Sequence, residues 1–317
     1  MLATPKVWVC ISNRNSREHL EYCLPTLAQT TYSNYDVVLV DNASTDDSIA
    51  YVERKFPGIV LIKNAEDRGW AGGTNVGIRY ALQHGALYVA LLSADVKVDP
   101  RWLTEAVRVV EERLQVGCVG FKVFNEYRDE DRDGRQFEAA MATWQGLEVT
   151  GTKHIAGCAL FIRTEVFEHI GFFDEVYMSY GEEDDFEKRA MRAGHKMVRV
   201  NVPIWHHSMG YWSKMSLQAS KLAIRNTLRC SIKNDNLWGV WKTFLLVCSV
   251  ACNPFSKADR IYFHYRRLRR SNVFVNCPLL MYGIFWNGIF LPRTLAIRRA
   301  EAERVAGAHR ALEEMRG

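Results

Sequence analysis

Short apolar runs alternate with segments of helical periodicity, and this alternation constrains the fold more than any other feature of the chain. Strand-like runs lie at 6–11, 36–40, 59–62, 87–92 and 116–123, and helical segments lie between them, at 17–30, 45–55 and 100–114. Strands alternating with helices at this spacing predict a parallel α/β sheet. Further strands are predicted at 154–162 and 196–200, helices at 165–170 and 182–193, and helices from residue 217 to the end.

Two segments are predicted as loops. Residues 69–77 are rich in glycine and are expected to lead into a helix that starts near residue 75 and ends near residue 84. Residues 127–135 are highly charged and have no periodicity, which is typical of a surface loop.

The net charge of +5 is mild for 317 residues, but several arginines cluster after Lys257. Such a cluster attracts phosphate groups on nucleic acid or anionic lipid, or forms a solvated helix face. Two apolar stretches flank it, at 238–255 and 273–291, and both are broken by polar residues or proline. They are expected to pack in a small domain or to lie at a membrane surface. Nucleic acid is not predicted as a partner, because no nucleic-acid-binding module is recognisable.

The eight cysteines form no CxxC pair, so neither a zinc site nor a redox pair is predicted. Cys10, Cys118 and Cys158 lie in apolar runs and are expected to be buried thiols. The first residues lack a basic segment followed by an apolar one, so no signal peptide is predicted and a cytoplasmic location is expected.

Two aspartates, Asp41 and Asp95, each follow a predicted strand. Ligands bind at the carboxyl ends of parallel strands, so both acids are expected at one crevice. Asp41 suits hydrogen bonding to a nucleobase or ribose, or it belongs to a helix cap. Asp95 suits a divalent ion that bridges a diphosphate, or it is a loop acid. Ser93 stands where a second acid would strengthen the metal interpretation.

Four consecutive acids, residues 182–185, start a predicted helix. The helix dipole favours acids in this position, but four like charges repel one another and raise carboxyl pKa values, as a general base requires. His206 and His207 follow a predicted strand, and at most one of these adjacent side chains is expected to bind a metal ion, since they point in different directions.

Together these segments resemble family 2 glycosyltransferases with the GT-A fold, in particular rhamnosyltransferase-like members. The likeness covers roughly residues 6–213, with a further trace at Arg225 and Asn226. It rests on ordered motifs: residues 11–14, 40–46, 69–77, 93–96, 157–163, 171–175, 182–194 and His206.

The resemblance implies a Rossmann-like mixed sheet flanked by helices over residues 1–215, and a helical C-terminal region over residues 216–317. It implies an inverting transferase that uses Mg²⁺ or Mn²⁺. The donor is expected to be a nucleotide-diphosphate sugar, with dTDP or UDP as the carrier, and the acceptor a glycan or lipid-linked glycan in polysaccharide synthesis. The residues expected to bind the nucleotide sugar are Ser12, Asn13, Arg14, Asp41, Gly69, Asn75 and Asp95.

Two departures from the family pattern matter for the site. The metal-binding DXD segment keeps only Asp95, so His206 is expected to complete the metal site. The catalytic-base position, usually aspartate, holds Glu183, and Asp185 is the other candidate. The incomplete DXD segment leaves open a non-catalytic sugar-nucleotide-binding protein, whereas the acidic cluster favours an enzyme. The C-terminal helices are expected to reach the inner face of the membrane if the acceptor is lipid-linked.

Overall fold

The computed structural model describes residues 4–125, 130–207, 217–252 and 273–314. Nine strands form one sheet. They are β1 (Val7–Asn13), β2 (Tyr35–Asn42), β3 (Val60–Asn64), β4 (Tyr88–Ser93), β5 (Val96–Val98), β6 (Val116–Asn125), β7 (Val149–Gly151), β8 (Ala159–Arg163) and β9 (Lys196–His206).

Helices cover both faces of this sheet and form the C-terminal region. They are α1 (Arg17–Leu27), α2 (Ser48–Lys55), α3 (Gly69–Gln83), α4 (Trp102–Glu112), α5 (Glu130–Ala142), α6 (Thr164–Ile170), α7 (Glu182–Arg192), α8 (Leu217–Asn234), α9 (Leu237–Cys252), α10 (Val273–Ile289) and α11 (Leu291–Glu314). A short 3₁₀ helix spans Glu175–Tyr177. The helices predicted after residue 217 are therefore confirmed for the described part of the chain.

The strand order is β3-β2-β1-β4-β8-β6-β9-β5, and β7 pairs with β9 at the side of this path. The first four strands are parallel, as periodicity predicts. β8 then runs antiparallel between β4 and β6, and β5 runs antiparallel to β9. The parallel sheet that periodicity predicts therefore holds for those first four strands and for the pair β6 and β9, and the mixed sheet implied by the family resemblance is confirmed.

β1 shows how the core is built on both faces of the sheet. Val7, Val9 and Ile11 lie in one buried layer, whereas Trp8 and Cys10 lie in the other. Side chains alternate along a strand, so an interior strand covered by helices on both faces is apolar throughout. The predicted buried thiols Cys10, Cys118 and Cys158 are buried and free.

The glycine-rich segment is helical, contrary to the predicted loop, because α3 begins at Gly69 instead of near residue 75. A Cβ atom on Gly73 would lie 2.4 Å from Asn42 Nδ2 and 2.6 Å from Ser12 Oγ. Glycine weakens a helix by about 1 kcal/mol relative to alanine. Here it lets α3 lie against the ends of β1 and β2, a close approach that any larger residue would prevent.

Three further differences concern short elements. The predicted loop at 127–135 is helical from Glu130, where α5 begins, and residues 126–129 lie outside the described residues. β5 and β7 were not predicted, because three-residue strands carry no readable periodicity. β5 nevertheless matters for the site, since it aligns the segment that contains Asp95 with the end of β9.

Candidate active site

Asn13 and Asp41 lie opposite each other in the parallel register of β1 and β2. Asn13 Nδ2 donates a hydrogen bond of 2.7 Å to Asp41, and Ser44 donates to it from Oγ at 2.6 Å and from its backbone N–H at 2.9 Å. The Asp41 side chain is buried. Its carboxylate therefore shapes the turn after β2. The alternative of a helix cap is wrong, because the N-cap residue of α2 is Asp47, and nucleotide binding stays a prediction.

Ser12, Arg14 and Gly69 are held to the same edge through Asn42. Asn42 Nδ2 donates to Ser12 Oγ and to the Gly69 carbonyl, both at 3.1 Å, while Arg14 donates to the Asn42 carbonyl at 3.1 Å. Arg14 also forms a 2.8 Å ion pair with Asp67 and keeps part of its guanidinium exposed. The structure thus brings together five of the predicted nucleotide-side residues, counting Asn13 and Asp41.

Asn75 forms no hydrogen bond to that group among the described contacts; its side chain bonds to Phe173 and Glu175 instead. Its Nδ2 donates to the Phe173 carbonyl at 2.9 Å and to Glu175 at 3.0 Å, and its Oδ1 accepts from the Phe173 N–H at 3.1 Å. Because the side chain is buried, these bonds leave it little capacity for a ligand. Asn75 instead fixes the segment that leads to the acidic cluster.

Asp95 and His206 meet at the other side of the sheet edge. β5 pairs antiparallel with the end of β9, with Val96 opposite His206, and this places Asp95 Oδ2 3.3 Å from His206 Nε2. Burial alone would raise the pKa of Asp95, but the nearby His206 and His19 hold it below its usual range. A carboxylate oxygen and an imidazole nitrogen that converge in this way fit a divalent cation, which would displace the imidazole proton.

The four acids of α7 have different environments. Asp185 is enclosed by two cations: Arg189 Nε lies 2.9 Å and Lys233 Nζ 3.0 Å from its Oδ2. Burial opposes its charge, yet these cations hold its pKa well below the usual range. Glu182, the first of the four acids, is also buried, and burial together with the charge of Glu183 raises its pKa well above the usual range. Asp185 is therefore an ionised carboxylate with a structural role, whereas burial disfavours the charged form of Glu182.

Glu183 has the environment that a general base requires. Burial, followed by the negative charge of Asp184, raises its pKa to about 7. Among the described residues, its Oε2 atom is buried without a hydrogen-bond partner. A carboxylate in this condition gains from taking up a proton, because burial and Asp184 disfavour its charge more than the nearby His154 favours it.

A short segment connects Glu183 with the Asp95–His206 pair. A Cβ atom on Gly157 would lie 3.6 Å from Glu183 Cβ, and the next residue, Cys158, accepts a 2.9 Å hydrogen bond from the Ser93 N–H. Ser93 is the last residue of β4 and lies two positions before Asp95. Glu183 and the candidate metal ligands therefore lie on either side of one segment, at the same edge of the sheet.

Residue patterns did not reveal a second ionic cluster beside Glu183. His154 Nδ1 lies 3.0 Å from Glu187 Oε2 and 3.4 Å from Asp184 Oδ1. One ligand atom from each of the three residues lies within 4.8 Å of the others, which is close enough for a metal ion. The hydrogen bond to Glu187 raises the pKa of His154 to about 9, so its imidazole is protonated and pairs with the acids. His154 stands about thirty residues before them, and no sequence signal connects the two.

The loop before Glu183 is strained and is held from the C-terminal region. Met178 and Tyr180 have φ angles of 60° and 73°, in the left-handed region that costs energy for side chains other than glycine. Asn226 Nδ2 donates to the carbonyls of Tyr177, Ser179 and Tyr180 at 2.7–3.0 Å. The predicted likeness at Arg225 and Asn226 thus falls on residues that hold the loop before Glu183 in this chain.

Comparisons with known proteins find glycosyltransferases among the proteins similar to this chain. Low-salt glycan biosynthesis hexosyltransferase Agl10 of Haloferax volcanii is 24% identical over 167 residues, covering 50% of this chain and 53% of that protein. The UDP-Glc:alpha-D-GlcNAc-diphosphoundecaprenol beta-1,3-glucosyltransferase WfaP of Escherichia coli is 25% identical over 126 residues, covering 39% of this chain and 47% of that protein. The chain spans 25% to 53% of the length of the first three curated relatives that it matches.

A solved structure shares the fold over nearly the whole chain. The mannosyltransferase PcManGT from Pyrobaculum calidifontis, in complex with GDP-Man and Mn²⁺, superposes with a TM-score of 0.52 at 17% identity, covering 99% of this chain and 84% of that one. The model of the glycosyl transferase family 2 matches residues 8–171, just over half of the chain. The chain is therefore a glycosyltransferase-like α/β protein that belongs to glycosyl transferase family 2.

Proposed function

We propose that this protein is an inverting glycosyltransferase that moves a sugar from a nucleotide diphosphate to an acceptor hydroxyl. The observation that carries the proposal is the partly buried carboxylate of Glu183, whose Oε2 atom has no hydrogen-bond partner among the described residues and which contacts the short segment that leads to Asp95 and His206. Membership of the family supports sugar transfer in general, and these residues support the roles below.

Glu183 would act as the general base. Its carboxylate takes the proton from the acceptor hydroxyl while that oxygen forms a bond to the anomeric carbon. The bond between this carbon and the diphosphate oxygen breaks in the same step, and its electron pair leaves with the nucleotide diphosphate. Attack from the face opposite the leaving group inverts the anomeric configuration.

Asp95 and His206 would hold Mg²⁺ or Mn²⁺ through one oxygen and one nitrogen. When bound, such an ion supplies positive charge to the departing diphosphate. Because two protein ligands leave several coordination positions, diphosphate oxygens and water would complete the shell. The structure of a relative's complex with Mn²⁺ supports manganese as the first ion to test.

Ser12, Asn13, Arg14 and Asp41 would form the nucleotide side of the donor site. Arg14 is the member of this group with an exposed charge, so it suits a phosphate or ribose hydroxyl. The bonds within the group make the loop rigid before the donor arrives, which reduces the ordering cost of binding. We propose a dTDP- or UDP-sugar as donor. The resemblance to rhamnosyltransferases predicts that a nucleotide-linked rhamnose is among the donors to screen.

The acceptor is proposed to be a glycan or lipid-linked glycan in polysaccharide synthesis. The name of the Escherichia coli relative describes transfer to a sugar linked to diphosphoundecaprenol, which supports an acceptor of this chemical class. We further propose that the catalytic part comprises residues 1–215 and that residues 216–317 form a region that reaches the cytoplasmic membrane face.

The test is a transfer assay with a panel of nucleotide sugars, with and without Mn²⁺, on the wild type and two variants. Glu183→Gln is expected to bind the donor as the wild type does, in a thermal-shift measurement, and to transfer at least about 100-fold more slowly. Asp184→Asn, the matched control on the adjacent residue, is expected to remain active at pH 8. Equal activity in Glu183→Gln and wild type would refute the assignment, and donor binding without transfer in the wild type would instead indicate a non-catalytic binding protein.

A further inference from the structure

Helices α9 and α10 each bury one face and expose the other. Their inner faces pack on α8, where Val247, Val250, Leu279 and Leu280 form a buried cluster with Ile224. Their outer faces carry large apolar side chains that are 47–90% exposed. These side chains, here named the apolar stripe, are Leu237, Trp238, Trp241 and Leu245 on α9 and Phe274, Met281, Phe285 and Ile289 on α10.

The stripe follows the helical repeat, so each helix presents it as one continuous face. On α9 the spacings from Leu237 are one, four and eight residues, and on α10 the last three members are four residues apart. A surface this apolar is rare on a protein that meets only water. It therefore requires a partner.

The charge of these two helices indicates what the partner is. α9 contains one charged residue, Lys242, and α10 contains none, although 24% of the whole chain is charged. Lys242 Nζ lies 5.2 Å from the Trp238 ring, so the cation stands beside the stripe. A tryptophan next to a lysine, without nearby acids on the same helix, is typical of a face at the boundary between lipid and water.

The segment that connects α9 and α10 in the sequence carries the net charge of the protein. Residues 253–272 lie outside the described residues, but their sequence contains six basic residues and one acid. Their net charge of +5 equals that of the whole chain, so the remaining residues together are neutral. This charge favours an anionic partner surface over a second copy of this chain, because two copies carry like net charge.

We infer that the apolar stripe lies on an anionic lipid bilayer, with both helices parallel to its surface. Among the described residues, no single helix is long and apolar enough to cross a membrane, and only the pair Phe274–Ile289 and Leu291–Arg310, bent by 63°, has the required composition when taken together.

The inference deepens the proposed function, because it rests on an acceptor held at a membrane. α8 connects the apolar stripe to the loop before Glu183. Ile224 packs beneath α9 and α10. The next two residues, Arg225 and Asn226, donate hydrogen bonds to backbone carbonyl groups of that loop. A cleft lined by Tyr180, Gly181, Asp184, Thr243 and Leu246 runs between α7 and α9. A bilayer on the stripe would thus present a lipid-linked sugar one helix layer away from the base.

The test measures binding of the full chain to vesicles. The wild type should sediment with vesicles of phosphatidylglycerol and phosphatidylcholine, and less with phosphatidylcholine alone. Raising the ionic strength from about 0.1 M to about 1 M should weaken binding to the anionic vesicles, because the screening length falls from about 10 Å to about 3 Å.

The variant Trp238→Ser/Trp241→Ser/Phe285→Ser should lose at least about tenfold in vesicle partitioning, since three interfacial anchors are removed. Each of these side chains is more than half exposed, so the fold should persist, as circular dichroism would check. The matched control Leu87→Ser/Leu114→Ser changes two exposed leucines outside the stripe and should bind as the wild type does.

Two outcomes would overturn the inference: no vesicle binding by the wild type, or equal binding by the triple variant. Dimers of the wild type that the triple variant loses, without vesicle binding, would identify a second copy as the true occupant. Transfer to a water-soluble acceptor should be unchanged in the triple variant. A failure of catalysis would therefore appear in the transfer assay, whereas a failure of membrane docking would appear only with vesicles.

Discussion

Glu183 and Asp185 lie two residues apart in α7, and their amide substitutions are expected to change stability in opposite directions. The pKa of Glu183 is raised from 4.5 to about 7, so its ionised form is disfavoured in the folded protein. At 1.36 kcal/mol per pKa unit, this pKa shift lowers the free energy of unfolding above pH 7 by no more than about 3 kcal/mol. Because the Glu183 side chain is partly accessible to solvent, Glu183→Gln is expected to raise the free energy of unfolding at pH 8 by about 1–3 kcal/mol.

For Asp185, the amide substitution is expected to lower the free energy of unfolding instead of raising it. Its folded pKa lies below the unfolded value, so its ionised form stabilises the protein above about pH 4. Asp185→Asn removes a buried partner of Arg189 and Lys233, and breaking such a pair costs about 3–5 kcal/mol. Urea denaturation at pH 8 and pH 5 checks both values. Glu183→Gln should gain little at pH 5, where the wild-type side chain is mostly protonated, and Asp185→Asn should lose at both pH values.

The transfer activities of the same two variants are also expected to differ. Glu183→Gln should be inactive and stable, whereas Asp185→Asn should be unstable and should keep transfer activity in the fraction that remains folded. If Glu183→Gln is destabilised at pH 8 as strongly as Asp185→Asn, then Glu183 has an unrecognised stabilising partner, and the reasoning that assigns it as the base is refuted.

Three further predictions follow from the same contacts. The transfer rate should rise with pH through about 7 as Glu183 loses its proton, and Asp184→Asn should move this midpoint to lower pH, measured as kcat against pH. Asn226→Ala should destabilise the protein by about 2 kcal/mol in urea denaturation, at about 1 kcal/mol for each of the two amide hydrogens that its three carbonyl contacts share, and should lower kcat more than it changes KM. Asp95→Asn and His206→Ala should each weaken Mn²⁺ binding in calorimetry by at least about tenfold; unchanged binding in both would exclude this pair as the metal site.

The local sequence pattern was sufficient to predict most of the strands and helices. The strands and helices up to β6, apart from the three-residue β5, follow from apolar periodicity, because each pattern reports which face of a segment is buried. The same reasoning placed Asp41 and Asp95 at the ends of their strands. It failed at the glycine-rich segment, where Gly73 serves close packing of a helix on two strands, a contact that involves residues far away in the chain.

The sequence by itself determined the α/β class, the family and the set of acids from which a site could be built. Only the tertiary structure distinguished those acids from one another. Lys233, contributed by α8 forty-eight residues later, neutralises Asp185, whereas no described cation pairs with the Oε2 atom of Glu183. Likewise, Asp95 meets His206 because a three-residue strand pairs antiparallel with β9. The physical reason is that a carboxylate's proton affinity depends on burial and on nearby charges, and both depend on distant parts of the chain.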